Sequence, residues 1–81
     1  MGDALLKEGH PVEAAAHLER AVAHDADYSA AWKLLGKAYA DAGAVEASIK
    51  SYETGIAVAD RKGDIQAARE MRVFLKRIRK S

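Results

Sequence analysis

Residues 32–39 read Trp32-Lys33-Leu34-Leu35-Gly36-Lys37-Ala38-Tyr39. Trp32, Leu35 and Tyr39 stand at i, i+3 and i+7, the spacing of side chains that share one face of an α-helix. Gly36 interrupts this segment with a residue that has no side chain, so a second helix can approach it more closely than the ~8–10 Å usual between helix axes. Such a partner follows at once. Ile49, Tyr52, Ile56 and Ala59 carry the same periodicity, and Gly43 between the two segments offers a turn. The stretch therefore predicts an antiparallel helical hairpin in which Gly36 faces Ser48, and neither helix can bury its apolar stripe alone.

Working outward, glycines punctuate the chain at Gly9, Gly43 and Gly63, each a helix stop. Pro11 suits a first helical position, where its missing N–H is one of the orphan donors anyway, and Asp27 and Asp64 can cap the helices that follow them. Five helices are expected, over roughly 2–8, 11–24, 28–42, 45–61 and 64–79. The composition agrees, since Ala, Leu, Glu, Lys and Arg are plentiful, asparagine is absent and proline occurs once. An all-α fold follows.

A chain of 81 residues fits a single domain, and it must hold by packing because it contains no cysteine for a disulfide or a thiolate metal site. No apolar run approaches the ~18 residues needed to span a bilayer, and the first residues do not form a basic-then-apolar leader. A cytoplasmic domain without membrane contact is the expectation. The net charge of +1 conceals an uneven distribution. Residues 1–60 carry 5 basic and 10 acidic side chains, whereas residues 61–81 carry 8 and 2.

Displacing the sequence by 34 residues sets Gly2 on Gly36, Ala4 on Ala38, Gly9 on Gly43, Leu18 on Tyr52 and Val22 on Ile56, so that small falls on small and large on large. With Trp32, Leu35-Gly36 and Tyr39 in their spacing, the chain resembles the tetratricopeptide repeat family, whose unit has a ~34-residue period. Ser48, Tyr52 and Gly55 stand at its later small, aromatic and small sites, while Asp60 and Ala26 stand where its prolines would be. The resemblance covers residues 1–62. It implies antiparallel helix-hairpin repeats in an α-α superhelix, with 1–28 a first repeat that begins inside its first helix and 29–62 a second. Met1 appears where that first helix should already be half built, which leaves two alternatives open: upstream residues have been trimmed, or they belong to a longer parent.

Residues 63–81 do not continue the pattern, since Arg69 and Glu70 would fall on the leucine and glycine places. They read instead as a basic capping helix. Ile65, Ala68, Met71, Leu75 and Ile78 form its packing stripe, widened by Ala67 and Phe74, and the charged residues form its wet side.

Catalytic chemistry finds little footing. There is no glycine-rich phosphate loop and no thiol nucleophile. His10, His17 and His24 are spaced by seven, which on a helix separates neighbours by about 10.5 Å at 1.5 Å per residue, too far to share a metal ion. Neither a metal nor a cofactor is expected, and the chain reads as a non-enzyme.

In a stack of helical hairpins the first helix of each pair lines the concave wall. On residues 28–42 the positions pointing away from Trp32 and Leu35 are Ala30, Lys33, Lys37, Ala40 and Asp41. The resemblance to peptide-binding tetratricopeptide domains places Lys33 and Lys37 toward the groove, flanked by Leu6 and Lys7 on one side and by Arg69 and Arg72 on the other. Members that clamp a terminal carboxylate use asparagine beside lysine, and this chain has no asparagine. Recognition would then rest on lysines and forked arginines meeting carboxylates or phosphates, above an apolar floor of Leu6, Ala30 and Ala40. The leading expectation is a scaffold that binds an acidic peptide or partner protein. Nucleic-acid binding through the basic 69–80 helix is a weaker alternative, lacking exposed aromatics for stacking. Self-association into a homo-oligomer is a third, since about three repeats are usually needed for stability.

Overall fold

The computed structural model describes residues 11–80, which form four helices: α1 (Pro11–His24), α2 (Ser29–Asp41), α3 (Val45–Lys62) and α4 (Ile65–Lys80). The helix expected over 2–8, together with Leu6, Lys7 and His10, lies outside the described residues. α1 packs on α2, α2 on α3 and α3 on α4, and α4 also touches α2 along one margin. The chain is all-α among its described residues.

The hairpin of α2 and α3 closes as its sequence predicts. Ser48 is fully buried and its hydroxyl donates a 2.6 Å hydrogen bond to the Gly36 carbonyl, so the serine in a small-residue place is satisfied where it lies. Beside it, the Tyr52 ring covers Gly36 so closely that a Cβ there would stand 2.6 Å from the ring. Gly43 and Gly63 end α2 and α3 with φ of +83° and +77°, a left-handed backbone that glycine adopts without steric cost.

Two buried clusters flank this contact. Ala14, Leu18 and Val22 of α1 meet Ala31, Leu35 and Ala38 of α2, with Trp32 and Tyr39 partly buried at the edge. Tyr52 and Ala59 of α3 meet Ala68, Met71 and Leu75 of α4, joined by Ile49, Ile56, Phe74 and Ile78. The Trp32 indole N–H reaches the Ala26 carbonyl at 2.8 Å, which ties the turn before α2 to its first face.

Two local expectations need correction. Asp27 does not cap α2, which starts after Tyr28 without a side-chain cap. Its carboxylate is taken by Arg61, and its carbonyl accepts Lys62 Nζ at 2.7 Å. Ile65 does not pack, being 69% exposed as the first residue of α4 beyond the Gly63 turn. Asp64 does cap, accepting the Ala67 N–H at 3.3 Å on one oxygen and the Ser29 hydroxyl at 3.1 Å on the other.

Burial pushes the Tyr39 and Tyr52 phenols up from the ordinary 10.0 to about 12, helped in Tyr39 by its hydrogen bond to Glu19 and in Tyr52 by the Asp41 charge. A raised folded-state value favours the neutral phenol in the fold. This stabilisation is therefore complete below pH 10 and is lost as the pH rises from 10 to 12. Denaturant midpoints measured across that window should fall for the wild type, and fall less steeply in Tyr39→Phe, which has no phenol to ionise.

Candidate functional site

Along the margin where α2 meets α4 the surface opens into a groove of about 500 Å³. α2 contributes Lys33, Leu34 and Lys37, and α4 contributes Arg69, Glu70, Val73, Phe74 and Arg77. Helical spacing explains the two walls. Lys33 and Lys37 are one turn apart, and Arg69, Val73 and Arg77 repeat at every fourth residue, so each set forms a row along its helix. Leu34, Val73 and Phe74 make the floor. Phe74 is fixed by stacking on Tyr52, with ring centroids 5.8 Å apart and planes 24° from parallel, so the floor rests on the same ring that covers Gly36.

The electrostatics are lopsided, with four cations and one carboxylate among the described residues that line the groove. Lys33 Nζ contacts that carboxylate, Glu70 Oε2, at 2.9 Å. Lys37 and Arg69 are exposed, and neither takes part in an ion pair among the described residues.

Of the residues singled out from sequence, Lys33, Lys37 and Arg69 come together here. Ala30 lies in an adjoining crevice of about 260 Å³, lined also by Ser29, Asp64 and both members of the Lys33–Glu70 pair. Ala40 and Asp41 line neither hollow, and Asp41 instead acts on the Tyr52 phenol. Arg72 points to the outer side of α4, beside Leu75, Lys76, Arg79 and Lys80, where Asp60 holds it at 2.6 Å. Sequence reasoning missed Leu34, Glu70, Val73 and Arg77 as groove residues and assigned Phe74 to the core alone. The every-fourth-residue row of Arg69, Val73 and Arg77 was the available signal, and it becomes useful only once α4 is laid beside α2.

The basic outer side of α4 is partly neutralised, since Arg79 reaches Glu53 at 2.8 Å as Arg72 reaches Asp60. A shallower hollow of about 400 Å³ lies on the opposite side of α2, between α1 and α3, and mixes Glu19 and Lys50 with Trp32 and Tyr39. His17 and His24 are exposed. Among the described residues no group of three or more His, Asp or Glu side chains could hold a metal ion, and no helix is long and apolar enough to cross a membrane.

Comparison with known proteins agrees with this geometry. The tetratricopeptide repeat family profile matches residues 5–71. A TPR repeat-containing protein of Pseudomonas aeruginosa is 45% identical over 78 residues, covering 96% of this chain and 74% of that protein. The solution structure of a Bordetella parapertussis protein superposes with a TM-score of 0.87 at 34% identity, covering 98% of this chain and 69% of the other. The hairpin closed over Gly36, the helices stacked beside it and these matches together establish that the chain belongs to the tetratricopeptide repeat family.

Proposed function

We propose that this chain is a non-enzymatic scaffold whose α2/α4 groove receives an acidic peptide, or an acidic segment of a partner protein. Tetratricopeptide domains are in general protein–protein interaction modules, which supplies the class of function. The partner's chemistry rests on one observation: Lys37 and Arg69 face a groove with an apolar floor and have no ion-pair partner among the described residues. Carboxylates on the ligand would meet these cations, steering encounter and fixing register, while an apolar ligand residue covers Val73 and Phe74. Residues 29–62 supply the complete hairpin of this unit, and 63–80 close it as a lid that also forms the second wall.

The double variant Lys37→Glu, Arg69→Glu should weaken binding of an acidic peptide at least about ten-fold while leaving the helical circular-dichroism signal intact. Unchanged affinity would remove the groove from the account. Nucleic-acid binding is checked by titrating duplex and single-stranded oligonucleotides at increasing salt, where tight binding with a steep salt slope would favour the basic face of α4 instead. Sedimentation at low concentration reads self-association in the same preparation.

A further inference from the structure

Among the described residues Glu70 is the one acidic side chain lining the α2/α4 groove, and it sits on Lys33 at 2.9 Å. The pair lies where the groove joins its neighbouring crevice, since both residues line both hollows. Its side chains are 33% and 43% exposed, so water screens the contact and the pair is weak enough to be exchanged. Among the described residues Lys37 and Arg69 take part in no ion pair, so a carboxylate arriving from a ligand would meet them before Lys33, which is already engaged.

We propose that Glu70 is a built-in competitor: it holds the Lys33 ammonium in place of a ligand carboxylate, and so restricts the groove to ligands acidic enough to displace it. This rests on the acidic-ligand reading of the groove and adds a selectivity device to it. Binding then has two tiers. A ligand with a single carboxylate engages Lys37 and Arg69 and leaves the internal pair closed. One with clustered carboxylates exchanges with Glu70, whose side chain can swing toward the adjoining crevice, and gains Lys33.

The contact also differs from two other ion pairs of α4. Arg72–Asp60 and Arg79–Glu53 join α4 to α3 on the outer side of the helix, whereas Lys33–Glu70 joins α4 to α2 inside the groove. Glu53→Gln is therefore a matched control. It removes one carboxylate from an exposed α4 ion pair and changes the net charge equally, without touching the groove.

The test uses a fluorescein-labelled decapeptide of alternating aspartate and leucine, and its asparagine counterpart, titrated by anisotropy against the full chain. Glu70→Gln, with Glu70→Ala as a second variant, should bind the aspartate peptide about three- to ten-fold more tightly than the wild type. It should show no gain for the asparagine peptide, and Glu53→Gln should match the wild type on both. Equal affinity of Glu70→Gln and wild type for the aspartate peptide, or an equal gain in Glu53→Gln, would overturn the competitor role. If Lys37→Glu, Arg69→Glu also binds like the wild type, or if no variant binds the aspartate peptide, the acidic-ligand reading falls and the competitor role falls with it. Binding lost in the double variant but unmoved by Glu70→Gln overturns the competitor role alone.

Discussion

Tyr52→Ala is expected to lower the stability of the domain by about 3–5 kcal/mol, the cost of truncating a buried aromatic side chain. Total stabilities of small domains are only about 5–15 kcal/mol, so the variant should lie close to its unfolding threshold at ambient temperature. The reason is the position of the ring. It is 2% exposed, it covers the bare backbone of Gly36 and it stacks on Phe74, so one side chain joins the α2/α3 hairpin to α4. Urea midpoints followed by circular dichroism would measure the loss.

The Gly36 contact refines this into a coupling experiment. Gly36→Ala alone should cost about 1–3 kcal/mol, because the new methyl group meets the Tyr52 ring and the ring is held by its neighbours. In the Tyr52→Ala background the same methyl group enters the space the ring has left, so the double variant should be more stable than the sum of the single losses indicates. Strict additivity would mean that the close approach of α2 and α3 does not depend on that ring.

Met71→Ala is the second large effect, expected at about 2–5 kcal/mol. Met71 is fully buried, and its thioether lies over Gly55 of α3, where an added Cβ would stand 2.5 Å from the sulfur. Loss of this contact loosens α4 first. The denaturation slope should fall along with the midpoint if α4 detaches before the rest, because less surface is then left to expose in the main transition. Since α4 forms one wall of the groove, peptide binding should weaken in parallel.

The α2/α3 hairpin was legible in the sequence because burial on a helix leaves a 3.6-residue signature, and the Gly36–Ser48 contact could be named because both sites are small and face each other across a short turn. The groove was half legible. Lys33, Lys37 and Arg69 were found from the direction in which their helices turn. Arg72 was misjudged as a groove neighbour of Arg69 by one small rotation. At ~100° per residue, three positions return a side chain about 60° to one side of the start and four positions about 40° to the other, which separates Arg72 from the row through Val73. The outer side receives it, and Asp60, standing in the place of the family's proline, holds it there. Glu70 and Arg77 were counted with the wet side of α4 because their position depends on how α4 crosses α2. That crossing is set by contacts of Met71 and Leu75 with α3, and no local pattern in the 65–80 segment reports it.

The side-chain bonds that tie the helices together have a kinetic consequence. Arg61 reaches back to Asp27, Asp64 to Ser29 and Glu70 to Lys33, and the widest of these spans 37 residues. Each closes a loop of about one repeat length, so native contacts among the described residues can accumulate without closing a longer loop first. Assembly can start at whichever hairpin forms first and spread to its neighbour, so the refolding rate is expected to follow local encounter.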